Sequence, residues 1–154
     1  MTDTVLRDAR PPAALVRLLN PIVSALLRTP VGRVAGTLAL VEFAGRHTGR
    51  HYRIPVGWHY YEGSPVVVTP ARWRTNFKVA APATVRHRGR ALAMTGTLIE
   101  DAQLVADVLI SILATGTSPS RLGLNMPPGH AVTASDVISV DRAIIRFHPA
   151  PSPQ

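Results

Sequence analysis

The chain has 154 residues, a length that predicts a single domain over residues 1–154 that buries about 70% of its unfolded surface. Hydrophobic residues make up 46% and charged residues 17%, which is a globular composition. The absence of cysteine excludes disulfides, thiolate metal sites and cysteine nucleophiles, and fits a cytoplasmic protein. The formal net charge of +8 indicates an anionic partner: a phosphate or carboxylate, a nucleic acid or an acidic membrane surface.

The first predicted element is an amphipathic helix, in which leucine and isoleucine recur at helical spacing; it begins at Ala13 and stops at Thr29-Pro30. Asn20-Pro21 indicates a cap and a restart within it. Polar residues make the apolar stretch too short to span a bilayer, and no signal peptide is expected. The helix either packs on the domain or makes a peripheral membrane contact. Residues 1–12 and 149–154 are predicted to be flexible tails.

The middle of the chain carries β-strand signals. Residues 37–44, 52–61 and 65–69 are predicted strands, joined by a turn-like segment at 45–49 and by the tight turn Glu62-Gly63. Residues 72–79 are predicted to form a short helix.

The last part of the chain combines strands and a helix. Residues 84–88 and 90–100 are predicted to form a hairpin, after which Asp101 caps a helix that ends near residue 114. Residues 116–129 are predicted to be a loop or lid, and residues 141–148 a final strand. The whole pattern predicts an α+β fold: a small barrel of about six mainly antiparallel strands, an N-terminal amphipathic helix and one or two further helices.

The densest chemical feature is the segment from Gly45 to Arg53, which holds three arginines and two histidines at a hairpin tip. Its glycines let the backbone approach a ligand closely, and arginine forks bind phosphate and carboxylate. The alternative is an ordinary solvated basic turn. His47 and His51 have the spacing of a metal pair, but no third ligand is near in sequence, so no metal site is expected.

A second cluster occupies residues 72–78. Trp73, Asn76 and Phe77 are at helical spacing, so one face would present an indole, an amide and a phenyl ring, a set suited to a tricyclic ring. The alternatives are a surface helix anchored by two aromatics and a base-stacking surface. Because no nucleic-acid recognition motif is present, a nucleic-acid partner is not expected.

The sequence lacks a self-sufficient catalytic constellation. No pair of acidic residues suggests a general acid and base, and neither a nucleophile elbow nor a phosphate-loop or dinucleotide-fold glycine motif is present. If the protein is an enzyme, its reactive atoms therefore belong to a cofactor, and no catalytic side chain is assigned.

Taken in order, these features resemble the deazaflavin-dependent nitroreductase family of actinobacteria, a branch of the split β-barrel flavin and deazaflavin oxidoreductases. The resemblance covers roughly residues 20–100. The matching parts are Asn20-Pro21 with the leucine-rich helix, the Gly45 to Arg50 turn, Pro55-Val56, Trp73-x-x-Asn76-Phe77, and Pro82 leading into residues 85–89.

The resemblance implies a split β-barrel that binds coenzyme F-420, an 8-hydroxy-5-deazaflavin with a polyanionic phospho-lactyl-oligoglutamate tail. FMN is the less favoured alternative cofactor. The reduced cofactor would deliver a hydride to a hydrophobic, electron-poor small molecule such as a quinone. The implied cofactor-binding residues are Arg46, His47, Thr48, Gly49, Arg50 and Arg53 for the phosphate and tail, Pro55 and Val56 for the ring, and Thr69, Pro70, Ala71, Arg72, Trp73, Asn76 and Phe77 for the opposite side.

The chain departs from the family pattern in three places. The segment between Val68 and Trp73 is short, His47 replaces the usual arginine or lysine, and residues 113–126 lack the tyrosine-bearing acceptor pocket, so nitroimidazole reduction is not expected. Two alternatives stay open: a non-catalytic deazaflavin or flavin carrier, and a basic nucleic-acid or membrane-surface binder. A monomer or homodimer is expected, cytoplasmic or associated with a membrane.

Overall fold

The computed structural model describes residues 7–8 and 38–151. The predicted N-terminal helix, with Asn20-Pro21, lies outside the described residues. Two parts of the predicted tails are described: Arg7–Asp8 forms a short strand, and Pro149 is the last residue of the final strand.

The described residues form nine strands, two α-helices and two 3-10 helices. The strands are β1 (Arg7–Asp8), β2 (Leu38–Ala44), β3 (His51–Gly57), β4 (His59–Tyr61), β5 (Ser64–Thr69), β6 (Ala81–His87), β7 (Arg90–Ile99), β8 (Leu124–Asn125) and β9 (Ala143–Pro149). The helices are the first 3-10 helix (Arg72–Phe77), α1 (Ala102–Ala114), the second 3-10 helix (Pro119–Leu122) and α2 (Ala134–Ser139).

Seven of these strands form one antiparallel sheet in the order β3-β2-β6-β7-β9-β5-β4, while β1 pairs with β8. The two edge strands, β3 and β4, follow each other in the chain with Trp58 between them. Because consecutive strands must lie close together at such a junction, the sheet curls into a half-barrel. The α+β class is confirmed, but the sheet has seven strands and not about six, since the segment predicted as one strand over residues 52–61 is divided at Trp58.

Two hydrophobic clusters pack on the two faces of the sheet. The inner cluster fills the half-barrel and includes Val67, Phe77 and Phe147. The outer cluster lies between the sheet and the two α-helices and includes Val66 and Leu109. Since neighbouring residues of β5 face opposite clusters, this strand is buried on both sides, as its unbroken apolar sequence requires.

Local capping signals fix both α-helices. The carboxylate of Asp101 accepts a hydrogen bond from the backbone N–H of Leu104 at 2.8 Å, which confirms the predicted cap of α1. Helix α2 was not predicted, although Thr133 and Asp136 form a capping box that is visible in the sequence. Among the described residues no helix has the length and apolar character needed to cross a membrane.

Candidate functional site

The turn between β2 and β3 presents the basic residues predicted at the hairpin tip. The N–H of Gly45 donates to the carbonyl of Arg50 at 2.7 Å, and the N–H of Gly49 donates to the carbonyl of Gly45 at 2.9 Å. Gly49 has a φ of 67°, a conformation that glycine adopts without strain. The hydroxyl of Thr48 accepts from the N–H of Arg50 at 3.2 Å. These bonds fix the backbone of the turn, and the side chains of residues 46–50 are exposed to solvent.

Aromatic rings support the base of this turn. Tyr52 stacks on Phe43 with ring centroids 5.2 Å apart and an interplanar angle of 14°. The guanidinium of Arg50 lies 6.0 Å from the centroid of the Tyr52 ring. A Cβ at Gly45 would lie 2.9 Å from Cε2 of Tyr52, so the close approach of the ring requires glycine there. The turn is therefore packed against the half-barrel through Tyr52.

The first 3-10 helix lies beside this turn and is seated on the inner core. Phe77 is fully buried, and its ring centroid lies 5.0 Å from that of Phe43. Trp73 lies 5.7 Å from the same Phe43 ring and is only partly buried. Before the helix, the hydroxyl of Thr69 accepts from the N–H of Ala71 at 3.0 Å. Phe77 therefore anchors the helix, while Trp73 keeps an accessible side.

Asn76 joins the helix to the basic turn. Its Oδ1 accepts a hydrogen bond from the N–H of Arg46 at 2.8 Å, and its Nδ2 donates to the carbonyl of Trp73 at 2.8 Å. One amide side chain thus satisfies a backbone donor of the turn and a backbone acceptor of the helix. The two clusters predicted separately from the sequence are in direct contact.

The far side of the same helix is fastened to the start of β9. The guanidinium of Arg74 donates to the carbonyl of Asp141 and to its carboxylate, each at 2.8 Å. A longer bond, 3.4 Å, reaches the carbonyl of Thr69. Because Arg74 is occupied in this way, its charge serves the position of the helix and is not presented to a ligand.

A cleft of about 300 Å³ lies between the turn and the helix. Its lining consists of Gly45, Arg46, His47, Thr48, Tyr52, Arg72, Trp73, Thr75 and Asn76. Two guanidiniums, an imidazole and two aromatic rings therefore face one space, and no acidic side chain is among these described residues. Such a surface suits a phosphate or carboxylate joined to a planar or apolar group.

Six of the fifteen predicted cofactor-binding residues line this cleft: Arg46, His47, Thr48, Arg72, Trp73 and Asn76. The lining residues that were not among the predicted set are Gly45, Tyr52 and Thr75. All three lie within the two sequence clusters, so membership of these clusters was the sequence signal that could have identified them as lining residues.

The other nine predicted residues do not line the cleft: Gly49, Arg50, Arg53, Pro55, Val56, Thr69, Pro70, Ala71 and Phe77. Arg53 lies 3.7 Å from the carboxylate of Glu42, which is also 3.2 Å from Arg86. Val56 belongs to the inner core, opposite Ala39 on β2. Phe77 likewise belongs to that core, so its ring supports the cleft from beneath.

The chemistry of the cleft is that of binding and orientation. Within the described part of the chain, no group of three or more histidine, cysteine or acidic residues is placed to hold a metal ion. The cleft offers guanidinium, imidazole, hydroxyl and backbone N–H donors, and it offers aromatic faces. These groups can hold an anion and a flat ring, but they include no pair of carboxylates for acid and base catalysis.

Comparison with known proteins found no family model and no curated protein that matches the chain. Among solved structures, one described as a domain-swapped dimer has a TM-score of 0.51 and 13% identity, covering 90% of this chain and all 100% of that one. HutZ, the heme storage protein from Vibrio cholerae, has a TM-score of 0.48 and 11% identity, and the match covers 87% of this chain and 92% of HutZ. An F-420 reductase has a TM-score of 0.42 and 16% identity, and the match covers 83% of this chain and 93% of the reductase. The first similarity concerns the fold alone, and no inference follows from the other two at their TM-scores.

Proposed function

We propose that this protein is a split β-barrel oxidoreductase that uses coenzyme F-420 and reduces a hydrophobic, electron-poor small molecule. The observation that carries the proposal is the bond from the Arg46 N–H to Asn76, which brings the two motifs of the family resemblance into one basic and aromatic cleft. The curled antiparallel half-barrel is compatible with the split barrel.

The residues of the cleft fit the charged part of such a cofactor. Arg46 and Arg72 supply guanidiniums with no ion-pair partner among the described residues, and the Thr48 hydroxyl adds a polar group beside them. A polyanionic phosphate and glutamate tail needs donors of this kind. Trp73 and Tyr52 provide the aromatic surface next to these charges, which suits the ring or the first part of its side chain.

In this proposal the bound deazaflavin supplies the hydride chemistry at its C5. The chain contributes binding, orientation and the exclusion of water. Arg46 and Arg72 would hold the tail, Trp73 would cover a planar portion of the ligand, and Asn76 and Arg74 would keep the helix in place. The assignments of Pro55, Val56, Thr69, Pro70 and Ala71 to the ring rest on the family resemblance, as do those of Gly49, Arg50 and Arg53 to the tail.

The partners follow from the same proposal. We propose a homodimer, because the domain-swapped dimer shares the fold. The acceptor is proposed to be a small molecule such as a quinone, and the protein to be cytoplasmic or peripherally associated with a membrane through its N-terminal helix. No nucleic acid is needed to account for the charge of the cleft.

A non-catalytic carrier of the same cofactor, or of FMN, is the second candidate. It is favoured by one observation: the described lining of the cleft contains no acidic side chain that could deliver a proton to a reduced acceptor. Binding alone would use every group that the cleft presents.

Titration of F-420 fluorescence with purified protein tests the proposal. We expect saturable binding to the wild type. In Arg46→Gln the affinity should fall about tenfold, a loss near 1.4 kcal/mol, and this loss should be larger at low salt than at high salt. Arg90→Gln, which removes the same charge from the first residue of β7, outside the cleft, is the matched control and should bind normally. Absence of binding at micromolar cofactor would overturn the proposal.

Turnover separates the enzyme from the carrier. Oxidation of reduced F-420 in the presence of menadione should be accelerated by the wild type and slowed in Arg46→Gln at subsaturating cofactor. Tight binding without acceleration would support the carrier. Preferential binding of FMN would identify the other cofactor, and salt-sensitive retention on DNA that is indifferent to F-420 would favour a nucleic-acid binder.

A further inference from the structure

A second opening lies at the end of the half-barrel formed by the turn between β6 and β7. The register of these strands pairs Arg90 with His87 and Leu92 with Val85. Directly opposed residues of an antiparallel pair share one face of the sheet. Because Val85 belongs to the inner core, the side chains of Arg90 and Leu92 are on the inner face as well.

These inner-face positions remain accessible because β7 extends beyond β9. The β7 to β9 ladder begins with Met94 opposite Pro149, and the N–H of Ala150 donates to the carbonyl of Ala93 at 3.0 Å, so β7 extends beyond these contacts at residues 90–92. Leu92 is consequently 41% exposed, although it faces inward. A cleft of about 520 Å³ opens at this point, and its described lining consists of His87, Arg88, Arg90 and Leu92.

His87, which lines this opening, packs on a buried aromatic ring. The buried Trp58 ring lies 5.6 Å from the ring of His87 and 5.4 Å from that of Phe147. Nδ1 of His87 is 2.9 Å from the carbonyl of Leu38, and since a carbonyl only accepts, Nδ1 carries the hydrogen. The His87 imidazole is thereby held beside the Trp58 indole at the edge of the opening.

The charge of the opening has no internal counterpart among the described residues. Arg88 and Arg90 form no ion pair there, and the described lining contains no acidic side chain. By contrast, the neighbouring Arg86 lies on the outer face of β6, where it pairs with Glu42 at 3.2 Å. Two guanidiniums therefore flank an apolar, inward-facing side chain in a concave space.

This opening is separate from the cleft at the basic turn. Leu38 begins β2 next to His87, whereas the basic turn follows Ala44 at the other end of the strand. Seven residues of extended chain span about 20 Å. A ligand at this opening is therefore independent of deazaflavin binding at the basic turn.

We propose that this opening binds a small organic anion, a carboxylate on an apolar body. Its carboxylate would pair with Arg88 and Arg90, and its apolar body would lie against Leu92, beside the His87 ring that packs on Trp58. A concave cleft that leads to the inner face suits an individual molecule more than the plane of a membrane.

Octanoate is the probe, because it does not absorb light at the wavelengths that excite tryptophan or that tryptophan emits. Octanamide is its uncharged analogue. The chain has two tryptophans, so in a Trp73→Phe background the emission reports on Trp58 alone. We expect a saturable change with octanoate and about tenfold weaker binding of octanamide. Calorimetric titration measures the same affinities if the emission does not respond.

Single-charge variants locate the site. In the same background, Arg90→Gln should weaken octanoate binding about tenfold, whereas Arg46→Gln at the other cleft should leave it unchanged. Three results would overturn the proposal: no saturable binding by either method, equal affinity for octanamide, or an equal loss in Arg46→Gln. Arg90-dependent sedimentation with phosphatidylglycerol vesicles, without octanoate binding, would assign the surface to a membrane and also overturn it.

Discussion

The backbone N–H of Arg46 donates a hydrogen bond to Oδ1 of Asn76, 30 positions further along the chain, at 2.8 Å. The same amide donates to the carbonyl of Trp73. The contact between the turn and the first 3-10 helix therefore depends on a side chain that can both accept and donate. An amide has this capacity, whereas an alanine or a carboxylate does not.

Replacement of Asn76 should affect stability and ligand binding together. Asn76→Ala leaves the Arg46 N–H and the Trp73 carbonyl without their partner, so we expect the free energy of unfolding to fall by about 1–2 kcal/mol. Affinity for F-420 should fall because the turn and helix lose their fixed relation. Urea unfolding and fluorescence titration measure the two effects.

The control for Asn76→Ala is Gln103→Ala, which removes an exposed amide bonded to Asp107 on α1. This variant should keep its affinity for F-420. Asn76→Asp retains the acceptor for the Arg46 N–H, loses the donor to the Trp73 carbonyl and adds a negative charge to the cleft, so its affinity should fall below that of Asn76→Ala. Wild-type affinity in Asn76→Asp would contradict the view that the cleft binds an anion.

Gly96 on β7 sets the depth at which Phe77 is buried. A Cβ at this position would lie 2.7 Å from Cδ1 of Phe77 and 3.0 Å from Cε1 of Phe147. Gly96→Ala should therefore cost about 1–3 kcal/mol of stability, because neither ring has space to move within a packed core. Since Phe77 seats the helix that carries Trp73, ligand affinity should fall as well.

A double-mutant cycle checks the origin of this effect. Phe77→Leu removes ring atoms next to the added methyl group, so Gly96→Ala should cost less in the Phe77→Leu background than in the wild type. Urea unfolding of the four proteins gives the coupling energy. Strictly additive losses would show that the methyl group is accommodated elsewhere.

The sequence predicted those parts of the fold that depend on neighbouring residues. Asp101 precedes an apolar helical pattern, and the hairpin around Gly89 has alternating strands on both sides, so both elements are found near their predicted bounds. The division of the strand at Trp58 could not be predicted, because it depends on how β4 leaves β3 to pair with β5. Helix α2 was readable from its capping box.

For the site, the sequence predicted two clusters but not their contact. Arg53 stands directly opposite Glu42 on β2, and this pairing follows from the strand register and not from proximity in sequence. Phe77 was predicted to contact the cofactor but lies in the inner core, for a different reason. In a 3-10 helix, residues three apart share a face, so Trp73 and Asn76 face the cleft together while the next residue turns into the core.

The environment of His59 predicts a loss of stability in mild acid. Burial, and after it the positive charge of Arg121, lowers the pKa of His59 below 6.5. The unfolded chain therefore takes up a proton near pH 6.5 before the folded chain does, and stability falls as the pH drops below that value. At neutral pH, where His59 is uncharged in both states, this loss of stability is absent. His59→Gln should remove this part of the dependence, as measured by urea unfolding across the pH range.

Arg121 provides an independent check on His59. Arg121→Gln should raise the pKa of His59, because one of the two causes of its depression is removed, while burial remains. The titration of the His59 ring, followed by NMR, measures the change. Arg90→Gln removes an equal charge elsewhere and should leave that titration in place; an equal shift in both variants would indicate a general charge effect.

The capping box of α2 predicts a second loss of stability, at lower pH. Burial would raise the pKa of Asp136, but hydrogen bonds from the Thr133 backbone, the His130 ring and the Thr133 hydroxyl outweigh it, so the pKa lies below 3.8. The stabilisation from this carboxylate is complete above pH 3.8 and is lost as the pH falls through the folded value.

Asp136→Asn should therefore be less stable than the wild type near neutral pH, by about 1–2 kcal/mol, because its amide bonds His130 and Thr133 less strongly than a carboxylate does. The two stability curves should converge in acid, where the wild-type carboxylate is protonated. Asp107→Asn, at an exposed carboxylate of α1, should follow the wild-type curve. Parallel curves for Asp136→Asn and the wild type would mean that the charge of Asp136 does not hold the start of α2, and that its hydrogen-bonding shape alone is sufficient.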